Sequence, residues 1–221
     1  MKVLIFGANG QIGQHLIDEM KSEGLHEPVA FVRKQEQLEN FKNKGIQARL
    51  GDLEASIDEI ANEMTEIDAI IFTAGSGGAT GDDKTLLIDL DGAVKVMEAA
   101  KKTGVERFLI VSAFGAESRE RWSEELKPYY VAKHFADEWL KETNLNYTII
   151  RPGMLTNDSS IGKVLIKENI KENDPMTIPR VDVAKVLLAS LENENTYRKS
   201  FDLLTGKNSI KSALEKISSI N

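Results

Sequence analysis

Short apolar runs alternate with longer segments of helical period along almost the whole chain. Runs rich in Val, Ile and Phe predict strands over Lys2–Phe6, Pro28–Arg33, Gln47–Leu50, Ala69–Thr73, Arg107–Ser112, Tyr147–Arg151 and Ser200–Leu204. Several are nearly continuous in apolar residues, as strands buried on both faces must be. Between them, apolar positions spaced three and four apart predict helices near 11–23, 35–43, 55–65, 84–103, 124–143, 181–192 and 208–219. Gly24, Gly45 and Gly104 fall where helices would end in left-handed caps.

Repeated strand-helix-strand units require right-handed crossovers, which stack helices on both faces of a parallel sheet. The expected fold class is therefore α/β, a Rossmann-like doubly wound parallel sheet in a single domain over 1–221. Residues 154–180 break the alternation and read as an inserted hairpin or loop. Ligands in open sheets bind beyond the carboxyl ends of the strands, so a segment leaving the sixth strand there is placed to cover a site.

The turn after the first strand, "FGANGQIG", carries a GxxGxxG array directly before the first helix. In that context Gly7 makes the turn, Gly10 lets backbone approach a pyrophosphate, and Gly13 lets the helix pack close to the sheet. The exposed amides and the helix dipole then face the anion. The second strand ends in Arg33 and Lys34, where an NAD-binding protein usually carries an acidic residue for the ribose 2′-hydroxyl. A cation there fits a 2′-phosphate, so NADP is favoured over NAD. Asp52, after the third strand, has two readings: it borders the adenine, or it N-caps the helix over 55–65.

Composition narrows the partner. The chain has 221 residues, 41% of them hydrophobic, enough for one substantial core. Its 28 basic and 35 acidic side chains are interspersed and leave a net charge of −7, with no footprint for nucleic acid or anionic lipid. A small-molecule substrate is the expected partner; monomer and homodimer both stay open. No cysteine is present, which excludes disulfides and thiolate catalysis, and His15, His26 and His134 lack metal-ligand spacing. The first strand begins almost at Met1, and no apolar stretch approaches a membrane span, so the expectation is a soluble cytoplasmic protein.

"KPYYVAKHFADEWL" places Tyr129 and Lys133 at i and i+4 on one helix face, with Tyr130 one residue out of phase. A lysine cation about 4 Å from the phenol would favour the phenolate by roughly 4 kcal/mol at an effective dielectric near 20, bringing the tyrosine into working range as an acid. Ser112, at the carboxyl edge of the fifth strand, is placed to hydrogen-bond a substrate carbonyl.

The order of these features, a nucleotide turn, a strand-end serine, YxxxK in the next helix and "RPG" ending the following strand, resembles the short-chain dehydrogenase/reductase superfamily. The resemblance is to its small, atypical, extended-like branch with NmrA-like relatives, and it covers nearly the whole chain. It implies that Gly7, Asn9, Gly10, Gln11, Ile12 and Gly13 hold the pyrophosphate and that Arg33 reads the 2′-phosphate. It implies that Asp52 and Leu53 border the adenine, and that Ala74 and Gly75 pass beside the adenosine ribose. Tyr129 is then the acid/base, Lys133 binds the nicotinamide ribose and tunes the tyrosine, Ser112 orients the substrate oxygen, and Pro152 and Gly153 flank the nicotinamide.

One departure stands out: the family's helix asparagine is replaced by Asp89. An ionised carboxylate only accepts hydrogen bonds, so an asparagine-based proton relay is not reproduced directly. Asp182 is expected as a helix cap, and Arg119, Arg121 and Trp122 lie in a loop and have two readings, substrate contacts or solvated loop residues. The leading expectation is an NADPH-dependent oxidoreductase passing hydride to a small carbonyl compound or quinone. The alternatives are a non-catalytic NADP(H) sensor and an epimerase or dehydratase with retained cofactor.

Overall fold

The computed structural model describes residues 1–78, 80–171 and 176–219. Its main sheet has nine strands in the order β11-β8-β10-β6-β5-β4-β1-β2-β3. These are β1 (Lys2–Phe6), β2 (Glu27–Val32), β3 (Gln47–Leu50), β4 (Ala69–Phe72), β5 (Arg107–Val111), β6 (Asn146–Pro152), β8 (Lys163–Lys167), β10 (Lys199–Thr205) and β11 (Asn208–Ser209). From β3 across to β10 every pairing is parallel. The seven predicted strands are all present, with ends shifted by a residue or two.

The interior strands are apolar on both faces because both faces are covered. On one face, Val3, Ile5, Ala30 and Ile71 pack with Leu16 and Ile17 of α1 (Gln11–Glu23), Leu38 and Phe41 of α2 (Gln35–Asn43), Val183 and Leu187 of α7 (Arg180–Ser190), and Ala213 and Leu214 of α8 (Ile210–Glu215). On the other, Leu4, Phe6, Ile70 and Phe108 pack with Ile60 of α3 (Ile57–Asn62), Val96 and Met97 of α5 (Ala93–Thr103), and Ala136 and Leu140 of α6 (Lys127–Lys141). This is the doubly wound arrangement that the alternation predicts. Gly24 and Gly104 close α1 and α5 in the left-handed conformation, as expected.

The helix predicted over 84–103 is not uniform. It begins as α4 (Asp82–Lys84), runs through a π-helical stretch over Thr85–Gly92 and becomes α-helical in α5. Such stretches re-aim side chains relative to a straight helix, and here Asp89 is turned inward to near-complete burial.

The segment after β6, expected as an inserted hairpin or loop, contributes strands of its own. β8 adds to the main sheet, antiparallel to β10, and β11 pairs with its other side. Val164 and Ile166 alternate inward along "KVLIK" and join the core on the α1 face. Two further short strands, β7 (Met154–Thr156) and β9 (Thr177–Pro179), pair in parallel outside the main sheet. Residues 172–175 of the predicted covering segment lie outside the described residues.

Asp182 does not cap α7. Fully buried, it accepts from the Ser160 hydroxyl at 2.6 Å and from the Ile161 and Gly162 amides at 3.0 and 3.1 Å, pinning the loop before β8 onto the helix.

Candidate cofactor cleft and active site

The strand order switches sides between β1 and β4, and the loops leaving these two adjacent parallel strands diverge there. A cavity of about 360 Å³ opens at this place, lined by Gly7, Asn9, Gly10, Arg33, Asp52, Leu53, Ala74 and Gly75 among others. The structure thus brings together eight residues that were singled out from separate parts of the sequence. Phe31, Gln37, Thr80, Lys84 and Ile88 also line it. They carry no motif, and only the convergence of the segments at the ends of β1, β2, β3 and β4 places them here.

The three glycines divide as their spacing suggests. Gly7 has φ +88°, and an added Cβ would lie 2.6 Å from the Ala74 amide nitrogen. Its substitution is therefore blocked by both conformation and space. A Cβ at Gly13 would lie 2.4 Å from the Gly7 carbonyl oxygen and 2.8 Å from Ala8 Cα, so glycine is required by the close approach of helix and turn. Gly10 differs. Its φ is an ordinary −76°, and a Cβ there would meet only the Gly7 oxygen, at 3.1 Å. The fold alone does not demand glycine at this position, whereas an anion seated on the amino end of α1 would. Gln11 and Ile12 open that helix, and Ile12 is packed in the core.

Arg33, exposed, has no carboxylate partner among the described residues and lines the same cavity. The two readings of Asp52 resolve towards the cleft. Ser56 is the N-cap of α3, in a capping box with Glu59, while Asp52 lines the cavity and accepts from the Glu54 amide at 2.9 Å. Lys84 reaches Glu54 at 2.5 Å, tying the loop after β4 to the loop after β3 beside the cavity. These donors, this cation and the open space at Gly10 fit a dinucleotide.

Tyr129 and Lys133 share one face of α6, as the spacing requires, with Lys133 Nζ 5.8 Å from the Tyr129 ring centroid. Lys133 is buried. Its ammonium donates to the Val111 carbonyl oxygen at 3.1 Å and pairs with Asp89 Oδ1 at 3.3 Å, while Asp89 Oδ2 accepts from the Ser76 amide at 2.9 Å. The expected lowering of the Tyr129 pKa is not what this arrangement produces. Burial pushes the phenol above its usual range; Lys133 pulls it down, but Asp89, Tyr130 and Asp137 push it up, and the net direction is upward. Burial also works against the charge on Lys133, yet Tyr129, Asp89 and Asp137 outweigh it and hold the ammonium above its usual value. Simple Coulomb reasoning from Tyr129 and Lys133 omitted both desolvation and the carboxylate opposite the lysine.

Ser112 lies at the end of β5 as predicted but is only 2% exposed, and its hydroxyl donates to Asp137 Oδ2 at 2.7 Å. Asp137 is one turn beyond Lys133 on the same face of α6, so YxxxKxxxD was a readable signal that the YxxxK motif alone does not include. Pro152 is buried at the end of β6. Gly153 has a packing reason to be glycine: a Cβ would lie 2.2 Å from Leu204 Cδ2 and 2.5 Å from the Met176 carbonyl oxygen.

The loop residues are engaged by the protein. Trp122 donates to the Gly115 carbonyl oxygen at 3.2 Å and stacks on Tyr130 at 6.2 Å, and the Arg119 guanidinium lies 5.5 Å from the Trp122 ring. Arg121 pairs with Glu117 at 2.8 Å and donates to the Ile170 carbonyl oxygen at 3.0 Å. His134 contacts the Ala116 carbonyl oxygen through Nδ1 at 2.9 Å, and no cluster able to hold a metal exists among the described residues. No helix among them is long and apolar enough to cross a membrane.

Known proteins resemble the chain over nearly its whole length. A Bacillus subtilis protein named as an uncharacterized sugar epimerase, YhfK, is 50% identical over 217 residues, 98% of this chain and 100% of the relative. A solved Bacillus halodurans structure, named for the NAD-dependent epimerase/dehydratase group, superposes with a TM-score of 0.92 at 40% identity, covering 98% of this chain and 99% of the other. The structure of the oxidoreductase ylbE from Lactococcus lactis superposes with a TM-score of 0.86 at 35% identity, covering 98% and 96%. The kinship with atypical short-chain dehydrogenase/reductases read from the motifs therefore holds. The family model for NAD(P)H-binding proteins matches residues 7–194, and the chain belongs to that family.

Proposed function

We infer that the protein is an NADPH-dependent oxidoreductase acting on a small carbonyl compound or quinone, with 1–221 as one catalytic domain and the segment after β6 covering the reaction site. The observation that carries this reading is the Tyr129–Lys133 pair on one face of α6, its lysine anchored to the Val111 carbonyl oxygen at the carboxyl end of β5. Preference for the phosphorylated cofactor rests on Arg33, which lines the cleft with no carboxylate partner among the described residues.

The residues divide the work as follows. Gly7, Asn9, Gly10, Gln11, Ile12 and Gly13 form the pyrophosphate turn, Arg33 takes the 2′-phosphate, and Asp52, Leu53, Ala74 and Gly75 border the adenosine. Lys133 offers the nicotinamide ribose the one ammonium proton left after Val111 and Asp89, and Pro152 and Gly153 border the nicotinamide. A bound dinucleotide supplies the hydride. Tyr129 donates the proton to the substrate oxygen on which charge develops. Its raised pKa keeps the phenol protonated at neutral pH, which suits donation to a carbonyl better than proton abstraction from an alcohol.

NADPH oxidation with an aldehyde, a ketone and a quinone tests this. Tyr129→Phe should lower carbonyl turnover about 10²-fold to 10⁴-fold with cofactor affinity nearly unchanged. Tyr130→Phe is the matched control, and Lys133→Ala should impair both steps. Unchanged carbonyl reduction by Tyr129→Phe removes that residue from the mechanism.

A second reading, an NADP(H) sensor without turnover, is favoured by the Lys133–Asp89 pair, which spends on a carboxylate much of the charge that would otherwise activate the tyrosine. It requires that NADPH change the affinity for a protein partner and that the partner change the affinity for NADPH by the same factor. The name of the Bacillus subtilis relative favours a third, epimerase or dehydratase chemistry with retained cofactor.

A further inference from the structure

Beneath the Tyr129–Lys133 face lies a group of buried charges that the reading above does not use. Arg151 on β6 pairs with Asp202 on β10 at 2.8 Å and approaches Glu117, in the loop after β5, at 3.6 Å. Asp202 also accepts from the Ile170 amide at 2.8 Å, and Lys133 is taken by Asp89. Asp137 stands apart from these pairs. It is 3% exposed and has no cation in salt-bridge contact among the described residues. It receives the Ser112 hydroxyl on Oδ2, and its Oδ1 is buried with no hydrogen-bond partner. A buried oxygen left in that state favours a neutral carboxyl, or a reason for the strain.

We propose that Asp137 is a positioning residue that sets the polarity of Ser112, ionised Asp137 holding the serine proton and neutral Asp137 releasing it to donate to a substrate oxygen. This rests on the carbonyl-reduction reading. A hydroxyl has one proton. While the carboxylate accepts it, only lone pairs remain on Ser112 Oγ for a ligand, suited to a hydroxyl but not to a carbonyl. When Asp137 carries a proton it donates to Oγ, and the serine proton is free to join the Tyr129 proton on the substrate oxygen. No bond to carbon changes, and the second proton stays on Asp137.

Asp137 is placed to make this exchange near neutral pH. Burial pushes its carboxyl up to about 6, against the Ser112 hydrogen bond and against Arg151 on β6 and Lys133 and Lys141 on its own helix, which favour the anion. The charges of Arg151 and Lys133 are largely answered by Asp202, Glu117 and Asp89.

The test has two arms. In the first, the carboxyl ¹³C resonance of Asp137 is titrated in the full chain without cofactor, assigned by its absence in Asp137→Asn. A midpoint near 6 that moves upward in Ser112→Ala is expected, because the hydroxyl stabilises the anion. A midpoint at or below 4, or one that Ser112→Ala leaves in place, overturns the proposal. In the second, kcat/KM for 4-nitrobenzaldehyde with NADPH is followed from pH 5 to 9. Wild type should fall about 10-fold to 50-fold between pH 6 and 8 on the limb set by Asp137, as a transition-state donor is withdrawn. Asp137→Asn, whose amide donates permanently to Oγ, should lose that limb with NADPH affinity unchanged. A limb retained in Asp137→Asn overturns the assigned role. Absence of wild-type turnover at every pH, with Tyr129→Phe equally silent, overturns the reduction reading and the catalytic consequence together, while the resonance titration still decides whether Asp137 holds the serine proton.

Discussion

Lys133 Nζ lies 3.3 Å from Asp89 Oδ1, and neither side chain reaches solvent. The contact joins α6 to the π-helical stretch before α5, and through the Ser76 amide it also fixes the loop after β4 beside the cofactor cleft. Asp89 is thus held as the buried counter-charge of Lys133 and as the acceptor for the Ser76 amide.

Asp89→Asn keeps the shape and an acceptor oxygen but leaves the buried ammonium without its counter-charge. Loss of one partner of a buried pair costs about 3 kcal/mol, which urea unfolding would detect. Because Asp89 raises the Tyr129 pKa, its neutralisation lowers it. Carbonyl reduction is lost as the phenol deprotonates, so the alkaline limb attributed to Tyr129 should move to lower pH. A pH profile of kcat/KM that keeps this limb in place would separate Asp89 from the tyrosine.

The glycine array makes a sharper test when its members are compared. Gly13→Ala drives a Cβ to 2.4 Å from the Gly7 oxygen and 2.8 Å from Ala8 Cα, both backbone. It should destabilise the fold by about 1–3 kcal/mol or more. Gly10→Ala requires only that the Gly7 oxygen yield slightly at 3.1 Å. It should melt close to the wild type yet lose dinucleotide binding. Thermal unfolding should therefore place Gly13→Ala well below Gly10→Ala, while nucleotide fluorescence should show binding lost in Gly10→Ala despite its near-normal melting.

The strands were legible because strands buried on both faces are almost wholly apolar: β4 is so throughout, and β1 and β5 are so apart from Lys2 and Arg107 at their first positions. The glycines and YxxxK were legible because local spacing fixes their geometry. What escaped was set by contacts distant in sequence. β8 joins the sheet through β10, more than 30 residues later in the chain, and nothing in "KVLIK" distinguishes a strand of the main sheet from a hairpin arm. The phenol of Tyr129 is raised first by its burial and then by Asp89, 40 residues earlier, which sits on a π-helical stretch that carries no compositional mark. Gly153 also has a packing requirement, set by the side chain of Leu204 and the backbone of Met176, that its place in "RPG" does not reveal.

Arg33→Ala should weaken chiefly the phosphorylated cofactor. A charge-assisted hydrogen bond of about 1.5–3 kcal/mol corresponds to roughly 10-fold to 150-fold in affinity. NAD(H) lacks the 2′-phosphate and should lose little. Titration of both cofactors against wild type and variant checks this, and equal wild-type affinity for the two would remove the preference assigned to Arg33.

Asp137 also makes a stability prediction that needs neither substrate nor cofactor. Its folded-state pKa is raised, from 3.8 to about 6, chiefly by burial. A raised pKa means that the folded state binds the proton more tightly than the unfolded chain does. The protonated carboxyl is therefore tolerated at low pH, and its ionisation costs stability progressively as pH rises from about 4 to about 6. Above that window the cost is constant, on the order of 3 kcal/mol for a fully buried group. An amide resembles the neutral acid at every pH. The stability of Asp137→Asn minus that of wild type should accordingly rise by about 3 kcal/mol between pH 3.5 and 7.5, with the titration of all other groups cancelling in the difference. Urea unfolding of both proteins across that range would measure it. A difference that is flat, or that falls with pH, would mean that Asp137 is as well solvated or as well paired in the folded protein as in the unfolded chain.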